Sequence, residues 1–133
     1  MVEHASFDVI FMEDGNYLWL KWKGPQTHAT IQAGCNHVLR LIGELGVSKI
    51  MNDGRYSVGC WTKSLPWIVF HYLPRVRRAG MRQAAHVIAY DRASKLSADS
   101  FRLIADLCHW NIEFFRTVEQ AGEWLRQTTF TDE

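Results

Sequence analysis

The sequence is short of the features that would name a chemistry. Its three cysteines, Cys35, Cys60 and Cys108, are an odd number with no CxxC spacing. That argues against a disulfide framework and for reduced thiols. There is no glycine-rich phosphate loop, no GxSxG and no HExxH. Cys35 and His37 differ by two positions on an expected helix and so face different ways, and Cys108 and His109 diverge likewise. With no His or Cys pair at helical ligand spacing, the reading expects no metal and no cofactor. The charges nearly cancel, 15 Lys and Arg against 14 Asp and Glu, which speaks against a nucleic-acid binder relying on a broad positive field. Apolar runs last only a few residues, far short of the roughly 20 needed to cross a bilayer. The string MVEHASFDVIF has no basic start and no long apolar stretch, so no signal peptide and a cytoplasmic location are expected.

What is present is a globular composition. The chain has 133 residues, 47% hydrophobic and 22% charged, which suits one domain over residues 1–133. Phe7 to Met12 and Tyr17 to Lys23 are strand-like runs separated by Glu13-Asp14-Gly15-Asn16, whose Asp-Gly pair signals a hairpin. Leu18, Leu20 and Trp22 share one face of the second run; Tyr17 and Trp19 share the other, as in a strand covered on both sides. Ile31, Cys35, Val38, Ile42 and Leu45 then recur at helical spacing, with Thr27 as N-cap and Gly46 as terminator. Val47 to Asn52 reads as the third strand and Asp53 to Thr62 as a loop. A second helix starts near Ser64, tolerates Pro66 in its first turn, kinks at Pro74 and ends at Gly80. Gln83 to Tyr90 is a strand, Ser97 caps a helix to about Cys108, Ile112 to Phe115 is a strand, and Thr117 with Gln120 opens the last helix. The order β-β-α-β-α-β-α-β-α predicts an α/β fold: a mixed, mostly parallel sheet with an antiparallel N-terminal hairpin and flanking helices.

Open α/β sheets place ligands at the carboxyl ends of their strands. The segment Asn52–Thr62 is therefore the first candidate site, with Asp53, Arg55, Tyr56, Ser57 and Trp61 supplying polar and stacking groups. Amides near Ser64 would favour an anion. The opposing reading makes Asp53 a turn cap and Trp61 a core plug. Arg75, Arg77, Arg78 and Arg82 lie within eight residues of one another. They suit an acidic partner, phosphate groups or an anionic membrane surface, or simply a solvated helix end. Of the six tryptophans, Trp22 and Trp124 fall on core faces. Trp19, Trp61 and Trp67 fit either the core, a pocket or an oligomer surface.

Four strings carry a resemblance: YLWLKWKGPQT (17–27), ELGVSKIMND (44–53), LPRVRRAGMRQAAHVIAYD (73–91) and FRTVEQAGEWL (115–125). They are similar to the STAS/SpoIIAA-like domain family, over roughly residues 6 to 126. In the family's anti-sigma factor antagonists, the loop after the third strand bears an Asp followed directly by a phosphorylatable Ser and meets a kinase-like partner. Here Asp53 is followed by Gly54 and Arg55, and the nearest serine is Ser57. The resemblance implies a non-enzymatic binding or regulatory module. Its expected partner- or ligand-binding residues are Asp53, Arg55, Tyr56, Ser57, Trp61, Trp67, Arg75 and Arg78. The alternative is a carrier of a lipid or other apolar ligand in a cavity lined by Trp19, Trp67, Phe70 and Tyr72. The aromatic content also leaves room for a homodimer.

Overall fold

The computed structural model of the chain describes residues 2–128. Six strands form one sheet: β1 (Val2–Glu3), β2 (Phe7–Met12), β3 (Tyr17–Pro25), β4 (Lys49–Val58), β5 (Gln83–Val87) and β6 (Ile112–Phe115). They lie side by side in chain order. β1 and β3 each pair antiparallel with β2, and β4, β5 and β6 run parallel to β3. The mixed α/β class and the N-terminal hairpin are therefore as expected, with Gly15 and Asn16 at positive φ in the turn. The two-residue β1 is too short to leave a sequence pattern.

The connections carry α1 (His28–Leu45), α2 (Leu65–Trp67), α3 (Leu73–Ala79) and α4 (Arg92–Leu107), and α5 (Val118–Gln127) follows the last strand. When parallel strands are added in chain order and crossovers are right-handed, every crossover helix lands on the same side of the sheet. The core obeys this. Val38 and Ile42 of α1, Leu73 and Val76 of α3, and Phe101 and Ala105 of α4 pack with Leu18, Leu20 and Ile50. The last helix crosses to no further strand and covers the opposite face, where Ala121 and Leu125 meet Tyr17, Met51, Ala85 and Val87. Among the described residues no helix is long and apolar enough to cross a membrane.

Thr27 caps α1 with a reciprocal bond pair to Thr30, and Gly46 ends it in the left-handed conformation. Inside this helix, Gly34 sits over the Trp22 ring. A Cβ there would lie 2.5 Å from the ring, so glycine sets how closely α1 approaches the sheet.

Several boundaries differ from the sequence reading. The third expected strand starts at Lys49 and continues through Val58, so the expected loop is strand for its first half. The register of β4 against β3 steps from Lys21↔Asp53 to Lys23↔Tyr56, an extra residue on β4 of the kind found in a bulge. Gly54 belongs there because a Cβ would stand 3.0 Å from the Val87 carbonyl oxygen. Asp-Gly here marks a close backbone approach rather than a turn.

The strand expected over Gln83–Tyr90 ends at Val87. Pro74 is accommodated by a π-helical turn over Ile68–Tyr72, which relieves the contact of the proline ring with the preceding turn. The cap of α4 is Asp91, not Ser97. Its carboxylate accepts from the amides of Ser94 and Gly59, each at 3.0 Å. Ser97 lies inside the helix, where its hydroxyl accepts from the Trp61 amide at 2.9 Å. Thr117 caps α5 through the Gln120 amide.

Candidate functional site

Between the sheet and α1, α3 and α4 lies a cavity of about 90 Å³. Leu20 and Trp22 of β3, Asn52 of β4 and His86 of β5 form its floor, and Cys35 and Tyr72 stand across from them. The space exists because Ala84, Gly54 and Ser57 occupy positions where longer side chains would fill it. Among the described residues, none around it is Asp, Glu, Lys or Arg. Trp61 borders it, and its segment Gly59–Thr62 is fastened to α4 by Asp91, by Ser97 and by the Ser94 hydroxyl, which donates to the Gly59 carbonyl at 2.7 Å.

A chain of three polar side chains crosses the floor. The Trp22 indole donates to Asn52 Oδ1 at 2.7 Å, and Asn52 Nδ2 stands 2.7 Å from His86 Nδ1. An indole N–H can only donate, so the oxygen of the Asn52 amide must face it. The amide nitrogen then donates to Nδ1, and a neutral His86 carries its proton on Nε2. His86 is 3% exposed, ringed by Trp61, Phe101 and Phe114. Burial lowers its pKa from 6.5 to about 4, against the opposing pull of the Asp53 charge. The ring is thus neutral at physiological pH. Its Nε2 side faces Gly54, where a Cβ would be 3.6 Å from Nε2 and 3.8 Å from Ser57 Oγ.

The residues named from the sequence do not converge on one place. Ser57 and Trp61 border the cavity. Ser57 is 5% exposed, and its hydroxyl donates to the Gly54 carbonyl at 2.9 Å, which leaves a phosphate-transferring partner no access without opening β4. Asp53 points to the α5 face. It is 1% exposed and accepts from the Trp19 indole at 3.0 Å and from the Arg55 amide and guanidinium. Its bond to Asp53 holds the Arg55 pKa above its ordinary value. Arg55 also lies over the Tyr56 ring, which meets Tyr90 edge-on at the surface.

Trp67 stacks on Tyr72 and His71 beside the cavity without bordering it. Arg75 and Arg78 are exposed on α3, bonded to carbonyls of their own helical segment. The cavity expected from Trp19, Trp67, Phe70 and Tyr72 has another lining. Trp19 is on the opposite face, Phe70 is 81% exposed, and only Tyr72 takes part. The amides expected to hold an anion near Ser64 are already bonded, Ser64 to the Trp61 carbonyl and Leu65 to Thr62.

Comparison with protein-family models, with curated proteins and with solved structures finds no match to this chain. The assignment of a function therefore rests on the geometry of its own residues. Among the described residues no group of three His, Cys, Asp or Glu could hold a metal ion. Of the two polar floor residues, Asn52 opens the candidate segment but has no role of its own in the sequence reading, and His86 is not selected there. A signal for them was available: each is a lone polar residue on a face of its strand that is otherwise apolar, next to the other in register.

Proposed function

We propose that the protein is a non-enzymatic, STAS-like binding module that takes a small, largely apolar molecule inside the fold, over the β3–β5 floor. The observation that carries this reading is the uncharged cavity with a fixed polar group in its floor. Small-molecule sites are concave and mostly apolar, with a few placed polar groups that orient the ligand, and the Trp22–Asn52–His86 chain has that character. The STAS-like part rests on the strings resembling that family and on the alternation of strands and helices. A second reading, in which residues 52–62 meet a protein partner, draws support from the exposure of Tyr56 and Tyr90, at 52% and 70%. It has no enclosed surface to match.

Native mass spectrometry of untagged protein tests the main reading, together with melting in the presence of small apolar compounds. A retained mass that leaves on denaturation, or a raised melting temperature, supports it. Both effects should shrink in Ala84→Leu, which puts an isobutyl group where a methyl stands. A bare mass and no melting shift with any compound would sink it.

A further inference from the structure

The cavity is specific about charge and about the polar group it addresses. Among the described residues no carboxylate, ammonium or guanidinium borders it. A charged guest would lose its hydration with no counter-charge to replace it, at a cost of several kcal/mol. Purely apolar guests would leave the His86 ring without a partner at Nε2, since its Nδ1 is already bonded to Asn52 and a buried donor left unsatisfied carries its own cost. The position of the Nε2 proton follows from Trp22 being a donor only, which turns the Asn52 amide nitrogen toward Nδ1. The Nε2 side opens toward Gly54 and Ser57, and Ser57 directs its own proton to the Gly54 carbonyl. The floor therefore presents a donor at His86 and leaves the lone pairs of Ser57 Oγ beside it.

We infer that the ligand is an uncharged ketone, aldehyde or alcohol with a compact apolar body, whose oxygen accepts the Nε2–H of His86. Its size is bounded by the cavity. An apolar cavity of roughly 150 Å³ admits benzene, so about 90 Å³ suits a body no larger than that ring. The neutral, single-tautomer imidazole is suited to the task because it donates without gaining charge. The low pKa of His86 keeps it in that form across the physiological range. This inference rests on the cavity reading above and adds the chemistry of the guest.

Diethyl ketone and pentane share a five-carbon chain and differ at its central carbon, and butyrate, of similar size, adds a charged carboxylate. Each is titrated into the full, ¹⁵N-labelled chain, and the ring nitrogens of His86 and the indole of Trp22 are followed by NMR. Expected are a protonated Nε2 in the free protein, a ketone that binds about five- to tenfold tighter than pentane, and negligible binding of butyrate. The ketone should move the Nε2 resonance, and its advantage over pentane should vanish in His86→Phe. Equal binding of ketone and pentane would leave the cavity reading standing and overturn the inference. Tightest binding by butyrate would overturn it as well. No binding by any of the three would remove the cavity reading and the inference together. Should His86→Phe fail to fold, the wild-type ring decides alone: a proton on Nδ1, or an Nε2 resonance indifferent to ketone, refutes the proposal.

Discussion

Asn52 and His86 stand opposite each other in the parallel register of β4 and β5, and the Asn52 amide donates to His86 Nδ1 at 2.7 Å. A polar pair of this kind in an apolar layer is costly if half satisfied and specifying if satisfied. Trp22 completes it from the third strand. Three neighbouring strands therefore contribute one side chain each, and a slip of one residue in any of them would send that side chain to the α5 face. The pair positions the cavity floor and also ties together the strands that make it.

Stability should fall as the solution is acidified through the range set by His86. Its folded pKa is about 4 against 6.5 for the free side chain, so between these values the unfolded chain takes up a proton that the folded chain refuses. The contribution is complete above about pH 6.5, declines as pH falls, and is gone near pH 4. At about 1.4 kcal/mol for each pH unit the total is about 3 kcal/mol. Carboxylates titrate in the same range, so the difference between wild type and His86→Phe in urea unfolding isolates the histidine. That difference should change between about pH 7.5 and about pH 4.5. A constant difference would mean that His86 titrates normally.

Asp53→Ala should act as a stability variant. Substitution leaves the Trp19 indole without its acceptor and the Arg55 guanidinium, 17% exposed, without its partner. Removing one member of a buried pair costs about 3–5 kcal/mol; the access of water to Arg55 reduces this to about 2–4 kcal/mol. Urea unfolding measures it. Guest binding in the cavity should persist wherever the variant is folded, because Asp53 faces the other side of the sheet. Loss of binding without loss of stability would put Asp53 back in the site.

The contrast between Asp53 and His86 shows what the sequence made legible. Periodicity gave the element order, and the alternation of Leu18, Leu20 and Trp22 against Tyr17 and Trp19 identified both faces of β3, because those patterns follow from local geometry. Asp53-Gly54 misled, since the same dipeptide serves a turn or a bulge and only the Val87 carbonyl across the sheet decides between them. Ser97 has the chemistry of a cap, yet Asp91 lies where it reaches both Ser94 and Gly59. The cavity was least visible. It depends on which faces α1, α3 and α4 share, a consequence of strand order that no local window contains.

Lys49 is 7% exposed at the start of β4, with Nζ donating to the carbonyls of Gly15, Leu125 and Thr128. The last two lie at the carboxyl end of α5, where the unpaired carbonyls carry partial negative charge and a cation is favourable. Burial lowers the Lys49 pKa. Lys49→Met keeps the stem and removes the donors, leaving the Leu125 carbonyl buried. The expected loss is about 1–3 kcal/mol, with faster hydrogen exchange in the last turn of α5 and little change in β3. Exchange that stays slow in that turn would show that the lysine does not hold the helix end.

Cys60 should be a reactive thiol. It is exposed, its Sγ accepts from the Ser97 hydroxyl at 3.5 Å and donates to Thr62 Oγ1 at 3.3 Å. Donors turned to the thiolate, the Ser97 hydroxyl first and then the hydroxyl and amide of Thr62, lower its pKa from 9.0 to about 7, and a thiolate fraction of that size governs nucleophilic rate. Cys35 is buried, and desolvation pushes its pKa far up. Alkylation by iodoacetamide, followed by peptide mass spectrometry, should modify Cys60 with a midpoint near pH 7 while Cys35 stays protected in the native protein. Ser97→Ala should move the Cys60 midpoint upward, toward the ordinary thiol. That variant also frees the Trp61 amide, and a loosened 59–62 segment would raise the limiting rate at high pH. Only the midpoint reports the hydrogen bond, so an unmoved midpoint in Ser97→Ala would remove Ser97 as the cause of the lowered pKa, whatever happened to the rate.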